Sequence, residues 1–448
     1  MLKRKDVQAI QKGDRKVVRA WVMYDWANSV YQLTISSAIF PVYYNSVTHK
    51  GDDYTIRFFG AEVINTVLYS WAIAAAYLIV AAGSPLFSSM ADYTGRRKGF
   101  MRAFTILGSA ACGMLFFFDA DHIELGVIAF TLGTLGYGGS IVFYNSFLPV
   151  IAEREDQDRI SARGYSMGYL GGVVLLIINL IMILMPGFFG FEKDSDMPAR
   201  ISFLTVFLWW FGFSTLTFRH LPKYTFRKRV HRANVLTNGY KELRVVFNQV
   251  RKSFRLSVYL IGFFFIMMGI LTTMFMAATY GEKELGVSEE ILIGTILIIQ
   301  LVGMFGAWLF ARLSGRFGNL RALIISVVAW IIICIFAYSI SGVAEFMIAA
   351  FFIGIVMGGS QALARSTYSK MLPETTDHTS FFSFYDVMEK LATVAGTFSF
   401  GIIEAVTGSM RYSVLAITIF FAIGLFFLLL MFRKERTSDS AAYADLAQ

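Results

Sequence analysis

An all-α polytopic membrane protein, with twelve transmembrane helices in two pseudo-symmetric six-helix bundles, is the fold class that this 448-residue sequence predicts. Three observations predict it. Hydrophobic residues make up 56% of the chain and charged ones only 16%, whereas soluble domains carry about a quarter charged; mean hydropathy is +0.58. About twelve apolar runs reach the roughly 20 residues a helix needs to cross hydrocarbon. An acid, a glycine and three cations join the second and third runs as Asp92-Tyr93-Thr94-Gly95-Arg96-Arg97-Lys98. A weaker echo, Arg312-Leu313-Ser314-Gly315-Arg316-Phe317-Gly318-Asn319-Leu320-Arg321, joins the eighth and ninth. Matching loops in two halves point to an internal duplication.

The expected spans lie at about 20–45, 66–90, 99–118, 123–150, 163–186, 201–219, 256–280, 290–312, 321–340, 343–371, 380–405 and 411–432. A hydrophilic connection separates six spans from six, which gives bundles over 1–219 and 256–436, a linker over 220–255 and a tail over 437–448. In the linker, Leu236, Tyr240, Leu243, Phe247, Val250 and Phe254 recur at helical spacing, while Lys241, Arg244, Arg251 and Lys252 occupy other faces. That pattern predicts a basic amphipathic helix on the membrane surface, a strap between halves or a helix that binds a partner. The tail is short, polar and expected to be mobile.

Charge sets the orientation. If the N-terminus, the loops after even-numbered spans and the tail share one side, that side holds roughly 32 of the 40 Lys and Arg residues. The opposite loops hold Lys50, Arg57, Lys193, Arg200, Lys283 and Arg411, and Arg365 and Lys390 lie within spans. The positive-inside rule therefore puts both termini in the cytoplasm, and the expected location is the cell inner membrane. The net charge of +9 is spread over these loops, so it is a membrane-topology signal and excludes a nucleic-acid partner. Cys112 and Cys334 each fall inside a span, which argues against a disulfide framework or a metal site. The basic N-terminus runs directly into a full-length span, unlike a cleavable signal peptide.

A charge in hydrocarbon costs several kcal/mol unless paired or hydrated, so each intramembrane ionisable group is a candidate site. Asp25, Asn28 and Gln32 share one face of the first helix and are candidate solute- or proton-binding groups; Asp25 alone reads equally as a structural cap. Gln361, Arg365 and Tyr368 share a face of the tenth helix. Arg365 either meets an anionic group of the solute or pairs with Glu389 or Asp386. Glu389 and Lys390 sit near the middle of the eleventh span, about 100° apart around the helix, and are expected to contact different neighbours. With Asp25 they form the candidate proton-coupling or charge-paired set. Tyr144, Asn145, Thr272 and Thr273 offer neutral hydrogen bonds to a solute or between helices. Trp21 and Trp26 read as interface or packing aromatics.

The loop of Asp92, Gly95, Arg96 and Arg97 reads as a conformational latch. Asp92 under the start of the eleventh helix would neutralise its positive end. Arg96 and Arg97 would pair with the carboxylates Glu153, Glu155, Asp156 and Asp158. The plain alternative is a positive-inside anchor.

Four further segments carry a family resemblance. Trp21-Val22-Met23-Tyr24-Asp25-Trp26-Ala27-Asn28-Ser29 opens the first span, and Phe143-Tyr144-Asn145-Ser146-Phe147-Leu148-Pro149 closes the fourth. Gly358-Gly359-Ser360-Gln361-Ala362-Leu363-Ala364-Arg365-Ser366 lies in the tenth, and Phe381-Phe382-Ser383-Phe384-Tyr385-Asp386-Val387-Met388-Glu389-Lys390 begins the eleventh. With the Asp92 loop, they resemble the UMF1 or Atg22-like, vacuole effluxer-like branch of the major facilitator superfamily over nearly the whole chain. Ser88-Ser89 and Thr397 depart from its usual choices at positions concerned with helix packing and bending. The resemblance implies a twelve-helix transporter and places Tyr385 among the candidate solute-binding residues. The family's yeast namesake is regarded as an exporter of amino acids from the vacuole.

The expected function is therefore secondary active export of a small polar organic solute, an amino acid or short peptide, by alternating access with proton exchange. Export of amphipathic drugs or lipids is the alternative, suited to 44 Phe and 20 Met. An enzyme would need a nucleophile, base or metal constellation at one membrane face, and the sequence offers none. The glycine pairs Gly138-Gly139 and Gly171-Gly172 lack the lysine of a phosphate-binding loop. No cofactor is expected; the partners are a small-molecule substrate and the lipid bilayer, and the chain is expected to act as a monomer.

Overall fold

Helices dominate the computed structural model, which describes residues 12–48, 55–192, 195–222, 235–375 and 377–446. The expectations for Lys50, Lys193 and linker residues 223–234 lie outside the described residues. α1 (Arg15–Val30) starts where the Asp14 carboxylate accepts the Lys16 N–H at 2.8 Å, a side-chain N-cap. It runs into a π-helix, Tyr31–Ala38, and then into α2 (Ile39–Thr48). Pro41 has no N–H for the carbonyl four residues back, and the Ser37 hydroxyl donates to the Gln32 carbonyl at 2.9 Å, five residues away. The expected first span is thus three segments rather than one helix.

A short β-hairpin follows, which the sequence reading did not anticipate. β1 (Thr55–Phe58) and β2 (Ala61–Ile64) pair antiparallel, with Thr55 opposite Ile64 and Phe58 opposite Ala61. Phe59 and Gly60 form the two-residue turn with φ of 47° and 84°, the hand that matches strand twist. An isolated hairpin is marginal, and here the Phe59 N–H also donates to Glu124 at 3.1 Å.

The remaining helices are α3 (Asn65–Thr94), α4 (Arg97–Met114), α5 (Ile123–Ser146), α6 (Leu148–Ile151), α7 (Gln157–Leu184) and α8 (Met197–His220). After them come α9 (Val235–Lys252), α10 (Phe254–Leu285), α11 (Glu289–Phe317), α12 (Asn319–Ser339), α13 (Val343–Met371), α14 (His378–Thr407) and α15 (Met410–Leu446). Among the described residues, ten helices are long and apolar enough to cross a membrane. The segmented first span and α14, with Asp386, Glu389 and Lys390 in its first half, stand apart from those ten. The tail expected from residue 437 instead continues α15 as helix to Leu446.

Contacts divide the chain into two units. Unit 1 comprises Met1–Glu153, Gly164–Leu243 and Thr376–Ser383; unit 2 comprises Arg154–Arg163, Arg244–Thr375 and Phe384–Gln448. α7 therefore begins in unit 2 and continues in unit 1, and α14 does the reverse. Lipid is as apolar as leucine, so close packing rather than water exclusion holds such helices together. Unit 1 is packed with rings: Phe40 stacks on Phe130 with centroids 4.6 Å apart, and Phe118 and Phe203 flank them. In unit 2, Phe263 stacks on Tyr385 at 4.1 Å and Trp330 on Phe421 at 5.3 Å.

α9 is the helix expected in the linker. Val246 and Val250 are buried, and Arg244, Arg251 and Lys252 are exposed. The Phe247 ring lies 5.9 Å from that of Phe384. The side chains of Leu236 and Tyr240 lie outside the described residues.

Candidate functional site

In unit 1 the α1 face built on Asp25 comes first. Asp25 and Asn28 are both buried. Asp25 Oδ2 accepts the Tyr144 hydroxyl at 2.6 Å. Trp21, one turn before Asp25, fixes Tyr144 twice: the rings stack at 4.4 Å and 13°, and the indole Nε1–H donates to the Tyr144 carbonyl at 2.9 Å. Trp21 is thus a positioning residue that the sequence reading passed over as packing; its spacing of four from Asp25 was the available signal.

Asn28 is 1% exposed, and its Nδ2 has no hydrogen-bond partner among the described residues. A buried amide donor left unpaired costs about 1–3 kcal/mol. α7 closes on the same face. A Cβ at Gly168 would lie 2.5 Å from Ser29 Oγ and 3.3 Å from the Asp25 carbonyl oxygen, so the glycine lets α7 approach α1 closely. Gln32 is half-buried at the start of the π-helix, and Asn145 is buried beside Tyr144 in α5. Unit 1 therefore brings Asp25, Asn28 and Tyr144 together.

The latch segment also lies in unit 1. α3 ends at Gly95, left-handed with φ 68°, which lets α4 start almost at once. Asp92 is fully buried. Its Oδ1 accepts Arg97 Nε at 2.9 Å and the Thr379 N–H at 3.3 Å, and Oδ2 accepts the Ser380 N–H at 2.7 Å. Thr379 and Ser380 occupy the first turn of α14, where backbone N–H groups have no helical acceptor and the helix end is positive. Three acids of the expected cluster have other cations beside them: Lys12 beside Glu153, Arg159 beside Asp156 and Lys370 beside Asp158. Arg97 pairs with Asp92, five residues away across the glycine turn, at 2.9 Å. Arg96 is exposed. Lys98 donates to the Phe218 and Leu221 carbonyls at 3.0 and 2.6 Å, a cation at the C-terminal end of α8.

In unit 2 the tenth-span residues lie on α13. Arg365 is buried, with Nε 2.9 Å from Ser161 Oγ and Nη2 2.8 Å from the Ser161 carbonyl. Neither sequence reading of Arg365 named Ser161, which stands 204 residues away in sequence. Gln361 is half-buried, 3.5 Å from Met274 Sδ. Tyr385 lies between Phe263 and Tyr368, with centroids at 4.1 and 5.2 Å. Thr272 is buried with no partner for its hydroxyl among the described residues, whereas Thr273 bonds back to the Gly269 carbonyl.

The charges of α14 correct one expectation. Lys390 Nζ lies 3.3 Å from Glu389 and 3.2 Å from Asp386, so Glu389 and Lys390 do meet. Their Cα–Cβ bonds diverge, but both side chains are long enough to curl together. Asp386 adds the partner one turn earlier. Asp386 and Lys390 are buried, whereas the Glu389 side chain is 28% exposed. The result is a buried pair with a second, more accessible acid beside it.

A family model described as vacuole effluxer Atg22 like matches residues 13–441. The chain is 29% identical over 435 residues to the uncharacterized MFS-type transporter YxiO of Bacillus subtilis (strain 168), covering 97% of this chain and 98% of that protein. It is 23% identical over 484 residues to autophagy-related protein 22 of Yarrowia lipolytica, covering 88% and 80%. Among solved structures, the major facilitator transporter FucP in the outward conformation superposes with a TM-score of 0.69 at 12% identity, covering 94% and 99%. The proton:xylose symporter XylE, bound to 6-bromo-6-deoxy-D-glucose, gives 0.70 at 13% identity, covering 93% and 95%. At such identities the structures share the fold alone.

Proposed function

This chain belongs to the vacuole effluxer Atg22-like family, and from that premise we propose that it exports a small polar organic solute, an amino acid or short peptide, by alternating access coupled to protons. It is a multi-pass membrane transporter of the major facilitator type and not an enzyme. The observation that carries the finer reading is the pairing of a buried carboxylate, Asp25, with the unpartnered Nδ2 of Asn28 one turn away on α1. Burying an amide donor without a partner is costly, and a carboxylate beside a neutral donor matches a small polar solute better than an apolar one. Asp25 and the Glu389–Lys390 pair are the coupling candidates, because they are ionisable groups set within spans, where such groups mark ion and solute pathways. Both termini lie in the cytoplasm, and the protein sits in the cell inner membrane as a monomer.

Export of amphipathic drugs or lipids remains the second reading. An apolar cavity in unit 2 favours it, with Met276, Tyr280, Ile333, Phe346 and Phe400 in its wall.

A thermal-shift screen of the purified protein over amino acids, peptides and lipids across pH separates the two. Stabilisation grows as concentration exceeds Kd. The proposal expects selective shifts from amino acids or peptides, lost in Asn28→Ala. Shifts from lipids or apolar drugs alone would transfer the case to the second reading. Proton coupling fails if Glu389→Gln and Asp25→Asn both leave proton-driven transport intact.

A further inference from the structure

Unit 2 gathers cations at one end. α9 and α10 are joined there through a single residue, Ser253, whose N–H donates to the Gln249 and Val250 carbonyls at 3.0 and 3.1 Å. The Ser257 hydroxyl reaches back to the Val250 carbonyl at 2.7 Å. The last turn of α9 thus holds Arg251 and Lys252 in a fixed place beside Phe254. α15 ends against both α10 and α12 at this point. Lys434 Nζ lies 3.7 Å from the centre of the Phe254 ring, and the Arg321 guanidinium lies 5.4 Å from that of Phe432. The approach of α15 to α10 is close, since a Cβ at Gly262 would lie 3.1 Å from Phe427 Cβ.

The charge at this end is one-sided. Residues 244–255, 319–326 and 428–436 hold eight Lys and Arg against a single acid, Glu435. Arg251, Lys252 and Arg321 are exposed and form no ion pair among the described residues. Lys434 is exposed too, and a ring fixes a cation without carrying a counter-charge. Apolar groups stand beside the cations: Phe247 is 49% exposed and Phe254 42%. The apolar helices Phe254–Ala277, Asn319–Ser339 and Met410–Lys434 start or finish at this level, where hydrocarbon gives way to headgroups. An acidic protein would answer the charge but leave the rings in water. A phospholipid with a negative headgroup answers both, because it carries phosphate directly above its acyl chains.

We propose that the ends of α9, α10, α12 and α15 form a binding site for an anionic phospholipid. Arg251, Lys252, Arg321 and Lys434 surround its headgroup, and Phe254 lies against the top of its chains. The site is separate from solute transport and requires only that the chain is a multi-pass membrane protein. With the termini in the cytoplasm, the lipid belongs to the cytoplasmic leaflet.

Native mass spectrometry of the full chain in detergent, titrated with phosphatidylglycerol or with phosphatidylcholine of the same acyl chains, measures the two affinities. The parent is expected to bind phosphatidylglycerol roughly tenfold or more tightly. Combining Arg251→Gln, Lys252→Gln, Arg321→Gln and Lys434→Gln is expected to abolish most of that preference. Arg15, Lys16, Arg19 and Arg102 are exposed cations of unit 1. Their joint replacement by Gln removes as much charge and is expected to keep the preference. Phe254→Leu leaves the charge unchanged and is expected to weaken the preference roughly threefold, a loss that diffuse attraction would not show. Inorganic phosphate is expected not to displace the lipid. Thermal unfolding in phosphatidylcholine nanodiscs checks that each variant folds. If the fourfold variant does not, Arg321→Gln and Lys434→Gln take its place singly, each with a partial loss of preference. The proposal is overturned if the parent shows no preference, or if the site variants or Phe254→Leu retain it in full. It is equally overturned if the unit 1 variant loses it as completely, or if inorganic phosphate displaces the lipid.

Discussion

Tyr144 donates its hydroxyl hydrogen to Asp25 across 2.6 Å while its ring lies flat on Trp21 at 4.4 Å. One aromatic residue of α5 thereby joins two residues of α1 that are four apart. The carboxylate is held by a group that is itself immobilised, so its orientation is fixed.

Tyr144→Phe keeps the stacking and removes the bond. Leaving a buried carboxylate short of a donor costs about 1–3 kcal/mol, so thermal unfolding should occur at lower temperature. Trp21→Phe, which keeps a ring but loses the indole bond, should act in the same direction and less strongly. Combined with Asp25→Asn, the Tyr144 change should add less than its own cost. Strict additivity in the unfolding temperatures would show that the two residues are not coupled.

The Asp92–Arg97 pair is fully buried. Removing one partner of such a pair costs about 3–5 kcal/mol, whereas replacing both costs far less. Asp92→Asn and Arg97→Met should each destabilise the protein strongly. Because Asp92 also receives the Ser380 and Thr379 N–H groups, the double variant should recover only part of the loss. Full recovery would mean that the bonds to the start of α14 add nothing.

Gly168→Ala places a methyl 2.5 Å from Ser29 Oγ. The Ser29 hydroxyl must rotate aside and the Asp25 carbonyl give slightly, so the unfolding temperature should fall modestly, by an amount towards the low end of the roughly 1–3 kcal/mol that overpacking costs. Adding Ser29→Ala should relieve part of it, a result read by comparing the unfolding temperature of the pair with that of Gly168→Ala alone.

Glu284 supplies a pH test outside the spans. Burial pushes its carboxyl up, but the Ser409 hydroxyl at 2.9 Å, the Met410 N–H at 2.6 Å and the Arg411 guanidinium outweigh that and hold it below the usual carboxylate range. A depressed folded value means the stabilisation is present above the unfolded value and lost as pH falls through the folded one. The unfolding temperature should therefore decline as pH drops from about 5 towards 3, and Glu284→Gln should shallow that decline. An identical slope in the variant would remove Glu284 from the account.

On α14, Asp386→Asn should destabilise more than Glu389→Gln. Asp386 is the buried partner of Lys390, and Glu389 is partly open. The reverse order in thermal unfolding would identify Glu389 as the true counter-ion.

Sequence alone determined the membrane class, the segment lengths and the loop chemistry of this protein. The reason is local: hydrocarbon thickness demands some 20 apolar residues per crossing, and the turn after α3 needs a glycine where Gly95 stands. It also marked Asp25, Asn28, Glu389 and Lys390, because charge and amide groups inside apolar runs are conspicuous on their own. Tertiary structure decided who meets whom. Arg365 bonds to Ser161 across 204 residues of chain, and Asp92 bonds to the Ser380 N–H across 288. Such partners have no periodicity to betray them, since they depend on where whole helices come to rest. The π-helix of Tyr31–Ala38 and the hairpin before α3 escaped for a related reason. Each is a small departure from a regular element, and the packing around it, not its own few residues, selects it.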